Sequence, residues 1–168
     1  MTPYQILTLL IGTITAVILL VQAGLALKSL KADHERRKKQ ATFEFVQKIR
    51  PAWIEARHII EEKSGDKPLS SKELLEIDGN FQLLKLVRTL LGQLEHLSVG
   101  MNSRVFDKDL LYRMSGTELV TIYRRLDAYI KKAQNINPKA YIEYEDLVKV
   151  FEDRKRTKPD VSGNIVNS

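Results

Sequence analysis

The chain of 168 residues has no cysteine. This absence excludes disulfide bonds, thiolate catalysis and cysteine-ligated zinc, and it leaves the redox compartment undetermined. The histidines His34, His58 and His96 are never three or four residues apart, so they form no metal-binding pair on one helix. Glycine-rich phosphate loops and nucleophile elbows are also missing. We therefore predict no catalytic residues, no metal and no cofactor, although absent motifs argue only weakly against an unfamiliar enzyme.

The first part of the chain lacks charge: residues 2–27 contain no charged side chain. A helix from Tyr4 to Leu27 is about 36 Å long, which exceeds the roughly 30 Å hydrocarbon core of a bilayer. A cleaved signal peptide is the alternative, but no Lys or Arg precedes the apolar run, as such a peptide normally requires. We therefore predict that residues 1–27 form a transmembrane anchor.

Positive charge begins where this apolar stretch ends. Residues 28–40 carry six basic side chains against Asp33 and Glu35: Lys28, Lys31, Arg36, Arg37, Lys38 and Lys39. Basic residues beside a span favour the cytoplasmic side, so the N-terminus is expected outside and residues 28–168 in the cytoplasm. The run is predicted to be a juxtamembrane stalk that contacts anionic lipid headgroups. It can equally be a topology signal without lipid specificity.

Small residues recur every four positions in the apolar segment, at Thr8, Gly12 and Ala16. This spacing lets membrane helices approach closely. The pattern predicts a transmembrane packing face and a possible homo-oligomer.

The remainder of the chain carries balanced charge, with sixteen basic and sixteen acidic residues between positions 41 and 148. A domain that binds nucleic acid is usually basic, so nucleic acid is an unlikely partner. Apolar residues recur at three and four, which indicates helices. We predict an all-α protein: the anchor, the stalk 28–40, a small cytoplasmic helical bundle over 41–156, and a disordered tail over 157–168.

Individual helices follow from local signals. Pro51 falls inside an apolar stripe that begins at Phe43, and it must kink that helix or occupy its first turn. Ser70 and Glu73 resemble a capping box, and residues 81–102 form the most apolar and therefore most buried helix. A short helix is expected after Asp107, and a second one is expected to start at Ser115 or Thr117. Asn137 and Pro138 are expected to open the last helix.

Glu95 and His96 lie within the most apolar helix and form a possible buried polar site. A buried carboxylate needs a partner, for which Arg88, Arg124 or Arg125 is available. A structural ion pair is the favoured interpretation, and a catalytic acid is the alternative. Residues 123–132 are interpreted as helix in which Arg124, Arg125, Lys131 and Lys132 form a solvated face.

Three segments carry a resemblance to a known family: LLGQLEHLSVGMNSRVFDKDLLYRM (90–114), NPKAYIEYEDLVK (137–149) and ATFEFVQKIRPAWIEAR (41–57). They resemble an uncharacterised domain family of small bacterial membrane proteins. The resemblance covers roughly residues 1–150. It implies one N-terminal membrane helix followed by a helical cytoplasmic domain in the bacterial inner membrane, and it implies no activity.

These observations leave several functions open. The first is a membrane-tethered, non-enzymatic interaction or assembly module with an unidentified protein partner. The second is a membrane-anchored effector or toxin, such as a nuclease, in stress or phage defence. The third is an RNA- or lipid-regulated sensor that acts through residues 28–40.

Overall fold

The computed structural model describes residues 2–65 and 67–157, apart from the side chains of residues 6–11 and 64. It contains five helices: α1 (Pro3–Ser64), α2 (Ser71–Gly79), α3 (Phe81–Asn102), α4 (Lys108–Ile136) and α5 (Ile142–Thr157). The described part of the chain has no strand, which confirms the all-α prediction. The predicted tail 157–168 lies outside the described residues except for Thr157, which ends α5.

The chain divides into two compact units, residues 1–38 and residues 39–168. The first unit consists of the N-terminal part of α1, and its described side chains are exposed except for that of Lys38. The second unit comprises the rest of α1 and the other four helices. Among the side chains that the structure describes, only those of the second unit contribute to the apolar core.

The α1 residues of the second unit present a buried stripe at the spacing of three and four that an amphipathic helix requires. The stripe consists of Val46, Ile49, Trp53, Ala56 and Ile60. Phe43, predicted to begin it, is 50 % exposed, and Phe45 packs partly against the core instead. Pro51 lies inside the helix and not in its first turn.

Helix α3 has the buried apolar face predicted for the most apolar helix. Its fully covered residues are Leu83, Val87, Leu90, Leu91, Leu94, Leu97, Ser98 and Met101. It packs against α2 and α5, and α4 also packs against α5. The helices are separated by local caps: Ser70 and Glu73 form the predicted capping box of α2, and Asn80 both ends α2 and caps α3.

Helix α4 is one helix of 29 residues, so the prediction of two separate helices is wrong. Asp107 is its N-cap, as expected, and its carboxylate accepts from the backbone N–H of Leu110 at 2.8 Å. Ser115 and Gly116 resemble helix breakers but are buried in the middle of α4. A Cβ at Gly116 would lie 2.8 Å from the ring of Tyr112, so the absence of a side chain lets that ring lie flat against the helix. Tertiary packing therefore overrides the weak local propensity.

The start of α5 also differs from the prediction. Asn137 ends α4, and its side chain accepts from the backbone N–H of Lys139 at 3.1 Å, which is an Asx-type turn. A turn follows, and α5 begins only at Ile142. Tyr141 immediately before it has φ of 58°, a left-handed conformation that is uncommon for a bulky residue.

Two glycines of α3 make a matched test of the core. A Cβ at Gly100 would overlap the ring of Phe106, which packs on Phe45 at 5.2 Å between ring centroids. We expect Gly100→Ala to destabilise the domain by about 1–3 kcal/mol, because the displaced ring is overpacked. Gly92→Ala meets nothing within 4 Å and should instead stabilise α3 by about 0.5–1 kcal/mol.

The measurement is thermal unfolding of the full chain in detergent micelles, followed by circular dichroism. Equal melting temperatures for the two variants would contradict the packing of Phe106 on Gly100.

Candidate functional site

The first unit exposes an apolar helix surface. Its exposed large side chains are 50–73 % accessible: Ile14, Val17, Ile18, Leu19, Leu20, Val21, Leu25, Leu27 and Leu30. Contiguous apolar surface of this kind marks a membrane or interaction site. Among the described residues one helix is long and apolar enough to cross a membrane, with a mean hydropathy of 1.8 over its best window and none of that window buried.

The basic residues that follow are predominantly exposed and only partly neutralised. Arg37 pairs with Asp33 at 2.9 Å and Lys38 with Glu35 at 3.6 Å. The remaining four form no ion pair with a described carboxylate: Lys28, Lys31, Arg36 and Lys39. The run therefore keeps an excess of positive charge at its surface.

The predicted packing face of the apolar segment is described only in part. Gly12 and Ala16 are exposed, and a Cβ at Gly12 would meet nothing within 4 Å. The side chain of Thr8 lies outside the described residues. These positions are thus open on the surface of a single chain.

Glu95 on α3 caps the N-terminus of α5. Its two carboxylate oxygens accept from the backbone N–H groups of Glu143 at 3.2 Å and Tyr144 at 2.8 Å. The first N–H groups of any helix lack partners within that helix. Since α5 is preceded by Tyr141, whose side chain is a poor cap, a carboxylate from another helix supplies the acceptors.

Burial sets the ionisation of Glu95. Removal of its carboxyl from water raises its pKa and outweighs the two backbone hydrogen bonds and the nearby His96, which act in the opposite direction. The negative charge is nevertheless well placed for a helix N-terminus, where the backbone dipoles are positive.

The structure separates the other residues expected at this site. His96 is exposed, whereas Glu95 is partly buried. The arginines considered as partners of Glu95 lie elsewhere: Arg88 donates to the hydroxyl of Tyr129 at 3.3 Å, and Arg124 pairs with Glu152 at 2.8 Å. The partners of Glu95 are therefore backbone amides, which sequence reasoning did not anticipate.

A charge network between α1 and α4 is the feature that sequence analysis missed. Arg125 is only 5 % exposed, and its guanidinium meets Glu61 of α1 at 2.9 Å. Arg57 lies 3.3 Å from the same carboxylate and donates to Glu118 of α4 at 2.9 Å. The hydrogen bond from Arg125 is the main cause of the lowered pKa of Glu61. The placement of Arg125 on a solvated face was wrong.

A sequence signal for Arg125 does exist. It follows Ile122 by three residues and precedes Tyr129 by four, and both of these are buried. A cation on the apolar stripe of a helix is expected to find a carboxylate on the facing element.

The described residues contain no cluster of three or more His, Asp or Glu side chains that is arranged to hold a metal ion.

Comparison with known proteins places the chain in a family. The model of a domain of unknown function, DUF4760, matches residues 14–151, and the chain belongs to this family. The predicted membership of an uncharacterised domain family is thereby confirmed. No curated protein and no solved structure matches the chain.

The capping role of Glu95 predicts a stability effect. Glu95→Ala leaves two amides of α5 without acceptors, and we expect a loss of about 1–3 kcal/mol. His96→Ala changes an exposed neighbour and should stay within about 0.5 kcal/mol of the parent. Thermal unfolding of the full chain checks both values, and a similar effect of the two substitutions would contradict the cap.

The raised pKa of Glu95 makes the stability of the fold depend on pH in a predictable direction. The folded state holds the Glu95 proton more tightly than the unfolded state, so protonation stabilises the fold. This contribution is complete below the ordinary glutamate pKa of 4.5 and is lost as pH rises through the higher folded pKa. The melting temperature of the parent relative to Glu95→Gln should therefore fall as pH rises through this window. A constant difference would contradict the burial of the carboxyl.

Proposed function

We propose that this protein is a membrane-tethered, non-enzymatic interaction or assembly module. The observation that carries the proposal is the apolar, fully exposed part of α1, because water is a poor solvent for such a surface. The DUF4760 match begins within this segment, at residue 14, so the segment belongs to the domain pattern of the family. This supports a retained anchor over a removable leader.

The orientation follows from the charge that comes after the apolar segment. Basic side chains beside a span are retained on the cytoplasmic side, so the N-terminus lies outside and the second unit lies in the cytoplasm. The resemblance to bacterial proteins makes the bacterial inner membrane the proposed location. Lys28, Lys31, Arg36 and Lys39, which lack carboxylate partners, then face anionic lipid headgroups, at about 1 kcal/mol for each basic residue. The small residues Thr8, Gly12 and Ala16 offer a face for self-association.

The geometry at Glu95 supports a structural role over an enzymatic one. Both of its oxygens are engaged by backbone amides of α5. A general acid must instead reach a substrate atom within hydrogen-bond distance. The adjacent His96 is exposed on the surface of α3 and forms no hydrogen bond with Glu95.

Exposed apolar side chains indicate where a protein partner binds. Leu75, Phe81 and Ile136 are 71 %, 74 % and 83 % exposed. Asp78, which lies between the first two in sequence, pairs with Lys132, one helical turn before Ile136. This ion pair joins the end of α2 to the last turns of α4, and we infer that the three side chains form one contact region for an apolar partner surface.

Membrane insertion is tested by a charge in the apolar segment. Leu19→Arg places a cation inside the predicted span, about one helical turn from its centre, where a charge costs up to about 2.5–3.5 kcal/mol relative to insertion of an uncharged residue. We expect a large loss of protein from the alkaline-resistant membrane fraction. Leu75→Arg, at an exposed leucine of α2, is the matched control and should remain in that fraction. Extraction of the unmodified protein by alkali would overturn the anchor.

Partner binding is tested by crosslinking of the tagged full-length protein in cells, followed by purification in mild detergent. We expect a discrete crosslinked protein, or a homo-oligomer, that is lost on Phe81→Ser or Ile136→Ser. Val105→Ser alters another exposed apolar residue and should retain it. The absence of any crosslinked species, or equal retention by all three variants, would contradict the proposed contact region.

A further inference from the structure

A polar cavity of about 310 Å³ lies between α1 and α4 in the second unit. It is distinct from Glu95, from the apolar segment and from the proposed partner region. Helix α1 supplies most of the lining and α4 the remainder: Val46, Arg50, Trp53, Ile54, Arg57, His58, Ser115 and Glu118. Its volume is at the lower end of the range for small-molecule sites.

One residue of the cavity lining has a buried hydrogen-bond donor that is not used. Trp53 is 2 % exposed, and its indole Nε1–H has no partner among the described residues. The Nε of Arg57 is also buried, but it lies 3.3 Å from the Glu61 carboxylate, which does not line the cavity. A buried donor without a partner is costly, so the indole N–H of Trp53 beside the cavity indicates that the cavity contents supply an acceptor.

The charges around the cavity favour a negative occupant. The negative charge of Glu118, the only carboxylate in the lining, is engaged by Arg57 at 2.9 Å. Arg50 adds a further positive charge at the exposed side and forms no ion pair with a described carboxylate. His58 is also exposed there. An arginine fork, an indole N–H and the hydroxyl of Ser115 are donors that suit the oxygens of an anion.

We propose that this cavity binds the oxyanion group of a small solute, a phosphate or a carboxylate, through Arg50, Trp53 and Ser115. Ligand binding here goes beyond membrane tethering and partner contact, because it depends on neither the apolar segment nor the Phe81 region. Arg57 is held in the lining by ion pairs with Glu61 and Glu118.

The chain contains a single tryptophan, so its fluorescence reports on the proposed site alone. The experiment titrates the full-length protein, in micelles of an uncharged sugar detergent, with inorganic phosphate and separately with acetate, at constant ionic strength set by chloride. We expect a saturable change in the emission of Trp53 with at least one of the two anions. The absence of saturation with both would show that the cavity holds water only, and it would overturn the proposal.

Variants connect the signal to the cavity. Arg50→Gln replaces an exposed charged side chain by a neutral one and should leave the melting temperature unchanged. The anion concentration at half-saturation should rise about tenfold or more, because a charge-assisted pair is lost. Arg113→Gln, at an exposed arginine of α4 outside the cavity lining, is the matched control and should bind as the parent does. An unchanged titration of Arg50→Gln, or equal weakening by Arg113→Gln, would overturn the assignment. Trp53→Phe, followed by calorimetry, should also weaken binding, and retention of full affinity would contradict the role of the indole donor.

Discussion

Arg125 sets the main constraint on the second unit, because a cation in an apolar core must keep a carboxylate beside it. It meets Glu61 on α1, while its backbone carbonyl accepts from the N–H of Leu69 at 3.0 Å in the segment after α1. One residue of α4 therefore holds both the end of α1 and the following turn. A second ion pair joins the same two helices two turns earlier on α4, where Glu118 pairs with Arg57 of α1 at 2.9 Å. Together these pairs join α1 to α4 beside the cavity at Trp53.

The sequence was sufficient to predict a helix start where the capping residues are close to it in sequence. The capping box at Ser70 and Glu73 and the N-cap at Asp107 could be predicted, since each depends on residues three positions apart. The buried face of α3 followed from its periodicity in the same way. The sequence was misleading where packing keeps residues of low helix propensity inside a helix. Ser115 and Gly116 remain helical because they are covered by neighbouring side chains.

The polar sites depend on contacts between residues far apart in sequence. Glu61 and Arg125 are 64 positions apart, and Glu95 and Tyr144 are 49 apart. No spacing rule reaches across such distances, so the correct residue, Glu95, was assigned the wrong kind of partner. The exposed apolar segment (residues 2–27) and the exposed basic run (residues 28–40) were easier to predict. Both are properties of composition alone, because the first lacks charge and the second is rich in Lys and Arg.

The two units place the apolar side chains of α1 in different ways. In the first unit apolar side chains are exposed around the whole circumference of α1, whereas in the second they are confined to one buried stripe. The difference lies in the period of the pattern, which is absent before Leu27 and close to a helical turn after Thr42. A single helix is thus suited to lipid at one end and to a folded core at the other.

The cap on α5 has a consequence for the order in which the domain forms. The acceptors for two of the first N–H groups of α5 are supplied by α3, so an isolated segment 142–157 lacks this cap at its first turn. Short helices without tertiary support are marginal in water. Because α3 leaves the ribosome first, it is available as a template when α5 is synthesised. Folding of the C-terminal helix is therefore coupled to prior formation of α3, and a chain truncated before residue 142 loses the segment that most extensively covers α3.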